Sequence, residues 1–237
     1  MELGAISRVS TSDVLAGQLR EAIVTGVYKP GDRLVEAELA ERFDISRGPV
    51  REAMRTIAGE GLVQIRKNRG AVVSTPTPDD VLEVYALRMG LGEIALQHAA
   101  YANLLTGPTL RRVTQLLERM DNPAIQDDRH RMVDADLAFQ AALIAAGELP
   151  RITDIFAQTD TDIRFYVQVL GIEYDDANHT NLMIRHRLLV DTIIDGDATS
   201  AAAQWRSHIQ TTVNEFVPAF DARNEKPFER PLMRQLF

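Results

Sequence analysis

The chain has 237 residues, of which 45% are hydrophobic and 25% charged, with a net charge of −8 and no cysteine. That length suits two domains and that composition suits an ordinary globular protein, while disulfides, thiolate metal sites and cysteine nucleophiles are excluded. The first ten residues lack the apolar core of a signal peptide, and no stretch approaches the roughly 20 apolar residues of a membrane span, so a cytoplasmic protein with no membrane partner is expected.

The charge is unevenly spread. Residues 1–75 hold 11 basic and 10 acidic side chains, and the remainder 15 basic and 24 acidic. Between positions 46 and 70 six basic residues (Arg47, Arg51, Arg55, Arg66, Lys67 and Arg69) face only Glu52 and Glu60. A basic patch on an otherwise acidic chain suits a DNA-binding head joined to a body with another task.

In chain order, Leu15, Leu19 and Ile23 recur every fourth residue and predict a helix over 12–25, stopped by Gly26. A Pro30-Gly31 turn follows, then a short helix over 36–43. Ser46 is placed to cap a third helix reaching residue 60, with Pro49 in its first turn and Gly61 as its stop. On that helix Val50, Ala53, Met54 and Ile57 form a buried stripe, and Arg47, Arg51 and Arg55 a separate basic one. Two β-type runs, 62–65 and 71–73, flank a basic loop over 66–70, which is the shape of a wing. Together these elements describe a winged helix-turn-helix. Arg47 and Arg51 at the start of the third helix are positioned to reach guanine edges, while the helix N-terminus and wing hold phosphates.

The run PGDRLVEAELAERFDISRGPVREAMRTIAGEGLVQIRKNRGAVV closely resembles the DNA-binding domain of the GntR family of bacterial regulators. The resemblance spans about residues 11–73. It implies that Ser46, Arg47, Gly48 and Arg51 approach double-stranded operator DNA and that Arg69 and Gly70 form the wing tip. The fatty-acid-responsive member of the family has an arginine where this chain has Ala37, so one base or phosphate contact is expected to be missing.

Residues 74–78, Ser-Thr-Pro-Thr-Pro, mark a boundary, with the linker at 76–78. Beyond it no strand signal appears. Helices are predicted over 79–103, 108–121, 126–146, 150–170, 178–195 and 197–216, with Gly90 and Gly92 as potential kinks in the first. The expected fold is therefore mainly α: a winged helix-turn-helix over 1–75, an antiparallel bundle of six or seven helices over 79–217 that binds an effector and dimerises, and a tail over 218–237.

Asp136 and Gln140 share one helix face. Gly196-Asp197 reads as a helix stop followed by a cap, and His186 and His208 lie ten and eleven residues to either side. At about 1.5 Å per residue both stand roughly 15–17 Å from the turn and face each other. Asp136 and two histidines from three helices suit a divalent metal ion with open positions, although a histidine on a helix more often simply packs. His98, His130 and His179 carry only that packing reading.

The segments VYALRMGLGEIALQHAA, DADLAFQAALIAAG and IRHRLLVDTIIDGDATSAAAQWRSHI resemble the helical, FCD-type ligand-binding domain of the FadR subfamily of GntR proteins. Metal-holding members of that subfamily carry an aspartate, a histidine four residues on and two further histidines. By position these are Asp136, Gln140, His186 and His208. Gln140 departs from the pattern, which lowers the expected affinity for zinc, nickel or manganese. The resemblance also places Arg88 as the clamp for a small carboxylate effector, with Arg164 a weaker candidate. It implies a homodimer that represses genes of a carbon-source pathway. Two other readings compete: a DNA-binding dimer whose body senses nothing, and a metal-dependent enzyme, for which the bundle lacks the barrel strands that usually carry such metal triads.

Overall fold

The structure is a computed structural model that describes residues 10–66, 70–172, 176–223, 225 and 231–237. It divides into two compact units, residues 1–75 and 76–237.

In the first unit α1 (Thr11–Val24) starts at a capping box, in which Ser10 accepts from the Asp13 backbone and the Asp13 side chain accepts from the Ser10 backbone. Leu15, Leu19 and Ile23 are buried, as are Val50, Ala53, Met54 and Ile57 of α3 (Arg47–Gly59), and the two helices pack together. Arg20 reaches across to Glu60 through Nε at 2.7 Å and through Nη2. The short α2 (Glu36–Arg42) completes the three-helix core.

The wing is a three-stranded antiparallel sheet in the order β1-β3-β2. Strands β2 (Val63–Arg66) and β3 (Gly70–Val73) were expected; β1 (Arg33–Leu34) was not, because two residues carry no periodicity. Arg33 pairs with Val72 and Leu34 with Ala71. Gly70 has φ +75°, and a Cβ there would stand 2.3 Å from the Leu34 carbonyl oxygen. Only glycine lets β3 come this close to β1.

The second unit is a helical bundle. Thr77 and Asp80 form a capping box ahead of α4 (Pro78–Tyr101), with Pro78 at its first position. Then come α5 (Gly107–Met120), α6 (Pro123–Gln126), α7 (Arg129–Ala146), α8 (Pro150–Gln158), α9 (Asp160–Leu170), α10 (Asp176–Ile194), α11 (Ala198–Ala222) and α12 (Pro231–Leu236). The central contact is α4 along α11; α7 packs against α4, α5 and α8. No helix among the described residues is long and apolar enough to cross a membrane.

The described residues form nine helices here, against six or seven predicted, for three physical reasons. Asp128 caps α7 at its own start, which leaves Pro123–Gln126 as a separate turn. The helix predicted over 150–170 breaks at Thr159, whose hydroxyl donates to the Phe156 carbonyl at 2.6 Å. Among the described residues of the tail, α11 continues through Pro218 because Phe216 and Phe220, one turn apart, are both buried, and α12 follows. Gly90 and Gly92 do not interrupt α4. Gly92 serves packing instead, since a Cβ there would fall 2.0 Å from Nε1 of Trp205.

Candidate functional site

On the head, Ser46, Arg47, Gly48, Arg51 and Arg55 are all exposed. Ser46 takes the extended N-cap conformation, yet its hydroxyl makes no capping bond. The first backbone N–H groups of α3 thus remain available to an anion. A concavity of about 830 Å³ is lined by Arg33, Glu36, Arg47, Arg51, Arg55 and Arg66, with Gly70 at its edge. Arg69 lies outside the described residues. Position 37, where the family comparison predicted a lost contact, contributes an alanine to this lining. Arg33 was not among the expected contacts, since its place in the face depends on the unpredicted β1.

In the body, the side chain of Arg88 is 1% exposed and satisfied on several sides. Nη1 donates to Thr159 Oγ1 at 2.5 Å and to Asp160 Oδ1 at 2.9 Å, and Nη2 donates to Gln140 Oε1 at 2.7 Å. The guanidinium lies 3.9 Å over the Phe156 ring. Gln140 passes the chain on, its Nε2 donating to Asp136 Oδ2 at 3.0 Å. The break between α8 and α9 thus does local work: it turns Thr159 and Asp160 toward Arg88.

His186 Nε2 lies 3.3 Å from Asp136 Oδ1, but among the described residues neither atom has a partner in hydrogen-bond geometry, and His208 Nδ1 has none either. The His186 ring is packed between Phe139 and His208, at centroid distances of 4.3 and 5.0 Å. Burial holds His186 well below its usual value and takes His208 down to about 3, with the positive Arg185 reinforcing both. Burial pushes Asp136 up to about 6, against the opposing hydrogen bond from Gln140 and the nearby charge of Arg88. Both imidazoles are therefore neutral at neutral pH. A cavity of about 20 Å³, room for about one water molecule, touches Arg88, Asp136, Gln140 and His208, but His186 does not line it.

Asp136, Gln140, His186 and His208 are brought together as neighbours in the bundle core. Among the described residues no group of three or more histidine and carboxylate side chains is set to hold an ion. The oxygen of Gln140 is turned to a guanidinium, and its amide N–H groups occupy the near side of Asp136. Arg164 is not part of the cluster: its Nε pairs with Asp134 at 2.8 Å and its side chain is 38% exposed. Thr159 and Asp160 are the residues the sequence reading missed. Their signal was present, because threonine followed by aspartate inside a predicted helix is a cap signature.

A three-helix head with a basic face and a wing, followed by an all-helical body with a buried arginine site, defines the class of bacterial DNA-binding regulators. Residues 11–73 match the bacterial regulatory proteins of the gntR family, and residues 83–211 match the FCD domain. The FCD match covers more than half of the chain, which belongs to the GntR family as a FadR-type transcriptional regulator. YdhC of Bacillus subtilis strain 168, an uncharacterised HTH-type regulator, is 39% identical over 80 residues, 34% of this chain and 36% of its own. That match spans about a third of either protein. The gluconate operon transcriptional repressor of the same organism is 26% identical over 193 residues, covering 79% of this chain and 77% of its own. A protein of Rhodococcus sp. RHA1 described as a transcriptional regulator GntR shares the fold with a TM-score of 0.71 and 27% identity, over 88% of this chain and 98% of the other.

Proposed function

We propose that this regulator binds a roughly palindromic operator as a homodimer, with α3 in the major groove, and that a small organic acid bound at Arg88 controls it. Repression is the mode we assign, and catalytic turnover is no part of the reading. The observation that carries the sensing role is the buried guanidinium of Arg88. A full positive charge in a bundle core is costly unless paired, and here its pairing partner Asp160 is itself a carboxylate. Asp160 occupies the place an effector carboxylate would take, and burial holds its own proton affinity above the ordinary value. An acid entering the cavity of about 20 Å³ must enlarge it. Asp160 does not line that cavity, so in this reading the acid takes the place of Asp160 on the guanidinium of Arg88 itself. In this reading the site works without a resident metal ion.

The repressor of the gluconate operon among the relatives makes sugar acids the first probes. Thermal shift and calorimetry with gluconate and related aldonates and hydroxy acids test the proposal, together with operator binding with and without acid. Saturating ligand at 100 times its dissociation constant raises stability by about 2.7 kcal/mol. Binding that vanishes in Arg88→Met is expected. The internal pairing of Arg88 with Thr159, Asp160 and Gln140 also favours a second reading, a body that only dimerises. If no acid shifts the melting or the operator affinity, that reading replaces the first.

A further inference from the structure

The basic concavity of the head contains a residue that works against its evident purpose. Among the described residues lining it, five are arginines and one, Glu36, is an acid. A surface that meets a polyanion loses affinity for each carboxylate it carries. Glu36 is ionised there, because the hydrogen bonds from Arg51, and then the charges of Arg51, Arg47 and Arg55, hold its carboxyl below the ordinary range.

What the carboxylate does is visible in its geometry. Glu36, the first residue of α2, accepts from Arg51 Nε at 3.2 Å through Oε1 and from Arg51 Nη2 at 2.9 Å through Oε2. A guanidinium has two forked edges. The carboxylate engages the side edge, made by Nε and one hydrogen of Nη2. The end edge, made by Nη1 and the other hydrogen of Nη2, has no partner among the described residues, and it has the two-donor spacing that matches O6 and N7 of guanine. An arginine 55% exposed on a helix surface otherwise samples many rotamers, and each must be surrendered on binding.

We infer that Glu36 is the positioning residue for Arg51, holding its guanidinium edge-on so that one base pair is read selectively at the expense of overall DNA affinity. This rests on the reading of α3 as the DNA-contacting helix, and it goes beyond that reading by assigning discrimination to a residue that need not touch a base.

The test uses the full chain, with one duplex selected from a randomised pool by the parent protein and a scrambled duplex of equal composition. Glu36→Gln should bind the scrambled duplex several-fold more tightly, with a salt slope steeper by up to about 0.9, because one negative charge has gone. Its preference for the selected duplex should nevertheless fall about tenfold, with the loss at the same base pair that Arg51→Ala relaxes. In an Arg51→Ala background, Glu36→Gln should cost no further discrimination. If Arg51→Ala leaves base preference intact, the reading of α3 fails. If Arg51→Ala relaxes it and Glu36→Gln does not, or if the Glu36→Gln loss persists without Arg51 or falls on another base pair, Glu36 is not positioning Arg51. A purely structural role at the start of α2 would lower the melting temperature and weaken both duplexes alike, which would also overturn the inference.

Discussion

Gly92 of α4 and Trp205 of α11 meet at a distance that excludes any side chain on α4, since a Cβ at position 92 would lie 2.0 Å from the indole nitrogen. That nitrogen in turn donates to the carbonyl of Arg88 at 3.1 Å, so this close contact of the two helices also steadies the backbone of the buried arginine. Gly92→Ala should destabilise the body by about 1–3 kcal/mol through overpacking. Gly90→Ala, on the exposed side with nothing within 4 Å, should be neutral or stabilise by up to about 1 kcal/mol. Thermal melts followed by the fluorescence of the single tryptophan separate the two. Equal effects would show that Gly92 has no packing role.

Asp160 should oppose ligand binding and support folding at once. Asp160→Asn leaves the charge of Arg88 without its anionic partner, and a loss of about 1–3 kcal/mol in stability is expected. The same change should raise affinity for gluconate or another responding acid about tenfold, about 1.4 kcal/mol, because the internal competitor is gone. Calorimetry showing unchanged or weaker acid binding in Asp160→Asn would remove Asp160 from the effector site.

At Gln140 the expected change concerns metal. The parent should hold zinc, nickel or manganese weakly, because its amide oxygen is committed to Arg88 and its N–H groups face Asp136. Gln140→His supplies a nitrogen donor beside Asp136, His186 and His208 and should raise metal content and affinity markedly. Elemental analysis of both proteins decides it. Equal metal content in the two would mean that position 140 does not limit the site.

Acid should weaken the body in a defined window. His186 and His208 are held below the 6.5 of an unperturbed imidazole, so the unfolded chain takes up protons that the native state refuses. The stability from burying them neutral is present above pH 6.5 and is lost as pH falls. Asp136 works the other way: raised from 3.8 to about 6, it gains stability on acidification through that interval. Two histidines against one carboxylate leave a net loss below pH 6.5, up to about 1.4 kcal/mol per pH unit. Melting curves from pH 7 to 4 should show this slope, and His208→Asn should flatten it. An imidazole of either residue titrating near 6.5 by NMR would contradict the burial effect.

For the head, Arg51→Ala should weaken binding to the selected duplex by about 1–3 kcal/mol and relax one position per half-site. Arg55→Ala, one turn further along the same stripe, should act more evenly across sequences, as a phosphate contact does. Footprints and binding isotherms of both variants check this, and identical base preferences for parent and Arg51→Ala would remove α3 from recognition.

The sequence by itself determined whatever depends on near neighbours along the chain. The spacing of Leu15, Leu19 and Ile23, the basic stripe of α3, the Asp136–Gln140 adjacency and the helical hairpin at Gly196-Asp197 all follow from a repeat of 3.6 residues and from caps. His186 and His208 were legible as neighbours because a tight turn makes distance along two helices a local quantity. Tertiary structure alone decided the rest. Arg88 finds Thr159 and Asp160 across 71 and 72 residues, Gly92 clears a tryptophan on another helix, and the two-residue β1 exists only because β3 is there to pair with it. The orientation of Gln140 toward Arg88, and of Arg164 away to Asp134, belongs to the same kind. A flexible polar side chain has several partners within reach, and which one it takes is set by the charges and volumes that distant segments bring to it. Periodicity carries no record of that choice.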